Sequence, residues 1–177
     1  MTVNAVADFF ILKGEIGGCP MTQLPVHKLV YLAQGWHLAL MGEPLFDEEL
    51  RAWEHGPVAP LVRNRLIEYH GKPLSPSLAR ERPEVLYQPA SLNVMERVYQ
   101  MYRECTPGQL IDISHADGSP WHYAWERNKR GGSDVISTVR MKDYFDSLWK
   151  SALDNIRVVD VQHLPDDLDD ENLKSYL

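Results

Sequence analysis

The longest helical pattern in the chain is residues 22–42, TQLPVHKLVYLAQGWHLALMG. Its apolar residues recur at helical spacing along one face: Val26, Leu29, Val30, Ala33, Trp36 and Leu40, with His37 beside them. Thr22 suits the N-cap, and Pro25 is tolerated in a first turn that needs no intrahelical donor. Gly42 suits the C-terminal cap. The pattern predicts a long helix with a strongly apolar face, at the centre of the fold.

Other helical patterns flank this segment on both sides. They cover residues 3–13, 58–69, 91–102, 106–114, 119–125 and 137–153. Between residues 44 and 57 the periodicity changes, with Phe46 and then Leu50 to Trp53 in short extended pieces around a charged turn at Asp47–Glu49. We therefore predict a mainly α protein, a single compact domain of about six to seven helices with a small β-hairpin inserted after the second helix.

The charge of the chain is unevenly placed. Net charge is −7 over 177 residues, and residues 154–177 carry −5 of it. We expect a helical domain over residues 1–153, close to neutral, followed by an acidic C-terminal tail over 154–177 that stays out of the core. A near-neutral domain has no basic stripe, so direct nucleic-acid binding is not expected.

The chain has no segment typical of a membrane or secreted protein. No apolar run approaches the roughly 18 residues of a membrane span. The first residues lack the basic start of a signal peptide, and Asp8 interrupts their apolar stretch. Cys19 and Cys105 do not form a disulfide framework. We expect a cytoplasmic protein with reduced thiols and no membrane partner.

The residue patterns of common catalytic and metal sites are absent. GxSxG, GxGxxG and phosphate-binding loops do not occur, and none of the seven histidines has zinc-ligand spacing. Cys105 and His115 would make a nucleophile pair, with Asp112 or Asp117 to orient the histidine, but Cys105 ends a predicted helix, where the dipole disfavours the thiolate. We predict no catalytic residue, no metal ligand and no cofactor.

Two local features stand out from the helical patterns. Trp53 precedes Gly56–Pro57, and we expect a structural corner with the indole packed beneath it, so that Trp53→Ala costs about 3–5 kcal/mol. His115 precedes the break at Gly118–Pro120, and we expect its ring nitrogens to bind groups near that break. The basic loop over residues 127–132 is interpreted as a solvated loop.

Four short motifs occur in a characteristic order. They are Lys28-Leu-Val-Tyr31-Leu-Ala-Gln-Gly-Trp36, Pro44-Leu-Phe46, Ala52-Trp53-Glu-His-Gly56-Pro57-Val58, and Ser114-His115 followed by Pro120-Trp121. Together they resemble the Panacea-domain family of SocA-like antitoxins, also labelled phage-associated proteins. The resemblance extends from about Thr22 to Phe145, and Ser114 stands where the family usually has threonine. As structural or partner-binding positions it implies Lys28, Leu29, Tyr31, Trp36, Leu45, Phe46, Trp53, Gly56, Pro57, Val58, His115, Pro120 and Trp121.

The resemblance also implies a function and a partner. It implies a non-enzymatic antitoxin that neutralises a co-encoded toxin by direct binding. One alternative is an adapter that delivers the toxin to a protease. Others are an interaction protein of a phage or mobile element, and an enzyme that uses His115 with a nearby acid.

Overall fold

A computed structural model describes residues 2–80, 88–127 and 134–159. Within those ranges the chain forms seven α-helices and three short strands. The helices are α1 (Val3–Ile16), α2 (Gln23–Met41), α3 (Pro60–Leu66), α4 (Pro89–Tyr102), α5 (Pro107–His115), α6 (Pro120–Arg127) and α7 (Thr138–Val159). The strands are β1 (Arg51–Trp53), β2 (Gly56–Val58) and β3 (Asp134–Val135). The prediction of a mainly α domain with a small β element after the second helix is confirmed.

Helix α2 lies at the centre and contacts α1, α3, α4, α5 and α7. Gly35 lets α7 approach closely, because a Cβ atom there would lie 2.1 Å from the Phe145 ring. The same ring meets Trp36 edge to face, with centroids 5.2 Å apart. His37 is buried and bonded through both ring nitrogens, to the Glu43 carbonyl at 2.8 Å and the Ser91 hydroxyl at 2.9 Å. The central helix is therefore fixed by both apolar and polar contacts.

The hairpin differs from the sequence prediction in its register. Its turn is Glu54–His55, with Trp53 opposite Gly56, and β3 pairs with the other edge of β1. The turn predicted at Asp47–Glu49 is wrong. Phe46 is instead held by the Gln34 side chain, which donates to its carbonyl at 2.9 Å. An amide on α2 thus takes the place of strand pairing at this point.

Helix ends agree with the sequence where a side chain caps them. Thr106 and Gln109 form the predicted capping box, with bonds of 2.8 and 3.3 Å. Helix α3 begins at Pro60 because Val58 belongs to β2, and its predicted last turn, Ile67–Tyr69, is a 3₁₀ turn. Helix α7 continues to Val159, beyond the predicted end at residue 153.

Some expectations concern other parts of the chain. Residues 128–133 of the basic loop and residues 160–177 of the acidic tail lie outside the described residues. Across the described ranges, none of the helices combines the length and apolar character that crossing a bilayer would require.

Candidate functional site

Motif residues that are far apart in sequence meet at one corner of the fold. The corner is formed where the first half of α2, the β1–β2 turn, the end of α5 and the start of α6 come together. Lys28, Gly56, His115 and Trp121 lie there, and we call them the Lys28 corner. Three separate motifs of the sequence thus supply a single structural unit.

Lys28 lies at the bottom of this corner. Its side chain is 1% exposed, although it carries an amine. The amine donates a hydrogen bond to the His55 carbonyl in the β1–β2 turn. No carboxylate in the described ranges lies within ion-pair distance of it. Burial therefore lowers the pKa of Lys28 to about 7, because the charged form loses its hydration without gaining a counter-charge.

Gly56 is the residue that makes room for this amine. Its φ is +105°, a backbone conformation that side-chain-bearing residues rarely adopt. A Cβ atom there would lie 1.8 Å from the Lys28 amine and 2.7 Å from His115 Nε2. Pro57 and Val58 follow it, buried, in β2. The glycine is thus required both by its backbone angle and by its neighbours.

His115 and Trp121 close the corner from the side of α5 and α6. Their rings are stacked, with centroids 3.6 Å apart and planes at 7°. The Trp121 indole donates to the Trp53 carbonyl at 3.0 Å, which ties α6 to β1. Burial, and next the neighbouring Lys28, lowers the pKa of His115 to about 4. His115 is therefore neutral at pH 7, and its Nε2 has no hydrogen-bond partner among the residues that the structure describes.

The break between α5 and α6 is held differently from the sequence prediction. The Ser119 hydroxyl donates to the Ser114 carbonyl at 3.1 Å and accepts from the His122 amide, also at 3.1 Å. These bonds connect the two helix ends, a role that the sequence predicted for the His115 ring. A buried hydroxyl on Ser119 reaches both helix ends, whereas the His115 ring is stacked on Trp121. Pro120 begins α6, buried beside this serine.

An open pocket of about 430 Å³ lies next to the corner, and Lys28 is one of its lining residues. His27, Trp53 and Arg63 line it as well. The prediction that Trp53 is packed in the core is wrong, since its indole is only partly buried. The Arg63 guanidinium lies 5.3 Å from the centre of that indole. Arginine attracted to an aromatic face is common at protein surfaces that bind partners.

The remaining predicted positions lie in the core, away from this pocket. Leu29, Tyr31, Leu45 and Phe46 are at most 2% exposed. Trp36 is partly buried and donates to the Tyr102 hydroxyl at 3.1 Å. These residues hold α2 against its neighbours and do not line the pocket.

The pocket also contains residues that the sequence analysis did not single out as a binding group. Arg63 and His27 both lie outside the four motifs. Neither periodicity nor spacing signals them, because they meet only when α2 and α3 pack on either side of Trp53. His27 is 6% exposed, and within the described part of the chain neither of its ring nitrogens has a hydrogen-bond partner.

The structure shows where the residues of the nucleophile pair lie and whether metal ligands are grouped. Cys105 lies in another pocket, beside Cys19, and precedes α5, whereas His115 is the last residue of that helix. At a rise of about 1.5 Å per residue, the length of α5 separates the two. Across the described ranges, no three histidine, cysteine or acidic side chains are grouped as metal ligands.

Comparison with known proteins gives one family and one curated relative. The family model "Antitoxin SocA-like, Panacea domain" matches residues 26–122, which include the whole Lys28 corner. The chain is 29% identical to the antitoxin SocA of Caulobacter vibrioides over 127 residues, which cover 67% of each chain. No solved structure matches significantly.

Proposed function

The chain belongs to the Panacea-domain family of SocA-like antitoxins, and we propose from this membership that it silences a co-encoded toxin by binding it directly. The family match over residues 26–122 is the observation that carries the proposal. The action is non-enzymatic and takes place in the cytoplasm, where a toxin made in the same cell would be met. Binding belongs to the helical domain, whose last helix continues to Val159, and not to the acidic tail that follows it.

The chemistry of the Lys28 corner agrees with binding rather than turnover. The His115 ring is stacked on Trp121, and the Lys28 amine is bonded to a backbone carbonyl. Neither group has the exposed, paired arrangement with a nucleophile that general acid–base catalysis needs. The partly exposed Trp53 and Arg63 instead belong to the residue types that dominate protein–protein interfaces.

The direct test is co-expression with the protein of the adjacent reading frame. We expect growth to be rescued and the two proteins to co-purify at a fixed ratio. Rescue should require at least as many antitoxin molecules as the complex contains per toxin, because each bound antitoxin molecule is no longer free to bind another toxin. Neutralisation of excess toxin by catalytic amounts of this chain would contradict the proposal.

The adapter alternative shares the binding step and adds a protease. It predicts that the toxin disappears faster in cells that contain the protease than in cells that lack it. Unchanged toxin half-life with full rescue supports neutralisation by binding alone.

A further inference from the structure

Four basic side chains line the pocket beside Trp53: the exposed His55, and three that are at least partly buried. Lys28 and His27 come from α2, and Arg63 comes from α3. Among the described residues, none of the three forms an ion pair with a carboxylate. Glu54 lies at the same pocket but is exposed and pairs with none of them.

Two basic side chains on the same helices do have partners. Arg65, two residues along α3, bonds the fully buried Asp8 at 2.7 Å. His37, ten residues along α2 from His27, uses both ring nitrogens. The contrast matters because burying a cation without a counter-charge, or a ring nitrogen without a hydrogen-bond partner, costs free energy. The pocket therefore lacks a group that its neighbours have.

The group that these basic side chains lack is an anion, and a planar carboxylate matches the planar guanidinium of Arg63. We propose that the pocket receives an aspartate or glutamate side chain of the toxin, with Arg63 as its principal partner and Trp53 as an apolar wall. This inference rests on the proposed function. The guanidinium fork binds a carboxylate through two parallel hydrogen bonds, and the indole keeps the fork in place. His27 and Lys28 line the same pocket from α2, and the amine of Lys28 adds positive charge when it is protonated.

The size and charge of the surroundings favour a protein side chain. A volume of about 430 Å³ accommodates an acidic residue together with neighbouring atoms of a partner surface. A nucleic-acid backbone would need a track of several exposed cations, and this chain has a net charge of −7. Among the cations that line the pocket, Arg63 is permanently charged and partly exposed, whereas Lys28 is buried.

The decisive variant is Arg63→Glu, with Arg140→Glu as its matched control. Arg140 also lies over an aromatic ring, Tyr123, at 3.5 Å, but belongs to α7 and does not line the pocket. Both variants change the net charge equally. We expect Arg63→Glu to raise the Kd for the purified toxin at least tenfold and Arg140→Glu to change it less than twofold. Arg63→Gln provides the neutral variant if the reversed charge prevents folding.

A charge exchange identifies the partner residue. Each Asp and Glu of the toxin is changed to Lys and tested against Arg63→Glu, and we expect one of them to restore binding. If toxin binds wild type and Arg63→Gln alike, the pocket inference is overturned and the proposed function stands. If no acidic position matters and millimolar inorganic phosphate displaces the toxin, the pocket is a phosphate site and the inference is overturned. Absence of any binding to wild type overturns the proposed function itself.

Discussion

Replacing Lys28 by methionine should make the folded protein more stable. The methionine occupies a similar volume but carries no charge into the corner. Burial lowers the pKa of Lys28 from 10.5 to about 7. At 1.36 kcal/mol per pKa unit, burying the charged amine costs about 5 kcal/mol in acid solution. The hydrogen bond to the His55 carbonyl, worth about 1 kcal/mol, is lost with the amine. We expect a net gain of about 2–4 kcal/mol in the free energy of unfolding at pH 7.

The pH dependence of stability gives a more specific signature. Between pH 7 and 10.5 the unfolded chain holds the Lys28 proton while the folded chain releases it, so the wild-type free energy of unfolding rises with pH in that window. From pH 7 to 9 this contribution is about 2 kcal/mol. Lys28→Met lacks it, and its advantage over wild type should shrink accordingly. Below about pH 6 the difference between the two proteins should be constant.

Urea unfolding followed by far-ultraviolet circular dichroism at pH 6, 7, 8 and 9 measures both effects. Lys150→Met is the control, because Lys150 is exposed on α7 and its replacement should leave stability within about 0.5 kcal/mol. The reasoning is refuted if Lys28→Met is less stable than wild type at pH 7. It is also refuted if the variant keeps the full wild-type rise between pH 7 and 9.

Three further predictions concern the corner, the pocket and the tail. Gly56→Ala should lower the free energy of unfolding by about 2–4 kcal/mol, because φ is positive there and the new Cβ collides with the Lys28 amine. The control Gly42→Ala also has a positive φ, +77°, but open space around it, and should cost only about 1 kcal/mol. Urea unfolding measures both free energies. Trp53→Ala should cost about 1–2 kcal/mol because the indole is only partly buried, and a loss above 3 kcal/mol would restore the core interpretation. Truncation after Leu164 should leave the melting temperature unchanged. If the acidic tail steers the toxin, truncation should slow toxin association at low salt and not at high salt. An association rate that truncation leaves unchanged at every salt concentration would show that the tail takes no part.

The helices were predictable because each carries its own local signal. Apolar spacing and capping residues such as Thr106 mark them without reference to the rest of the chain. The position of the hairpin was not predicted, because the segment at Phe46 looks extended in sequence but is bonded to Gln34 of α2, while the paired strands lie further along the chain at Arg51–Trp53 and Gly56–Val58. Strand β3 has two residues and no pattern of its own. Local physics thus determines the helices, and tertiary contacts determine the sheet.

The residues of the candidate site also differ in whether the sequence could identify them. The family motifs indicated Lys28, Gly56, His115 and Trp121, although nothing in their spacing showed that they touch. Arg63 was missed because it lies outside those motifs and acquires its place only from the packing of α3 beside Trp53. A sequence pattern can therefore name the members of a structural corner while leaving out a residue of the adjacent pocket.

The Lys28 corner is costly in a way that packing alone does not explain. A methionine at position 28 would fill the space without carrying a charge. An alanine at position 56 would then no longer collide with the Lys28 amine, although it would still collide with His115. The chain nevertheless has a buried amine at position 28 and a glycine at position 56 that leaves room for that amine. Proteins retain destabilising groups mainly where a function depends on them. An acidic side chain entering the pocket would supply the counter-charge and raise the pKa of Lys28, so binding would take up a proton and weaken as the pH rises through 7. On this argument Lys28→Met is more stable than wild type and binds the toxin less tightly. Both properties follow from the same amine.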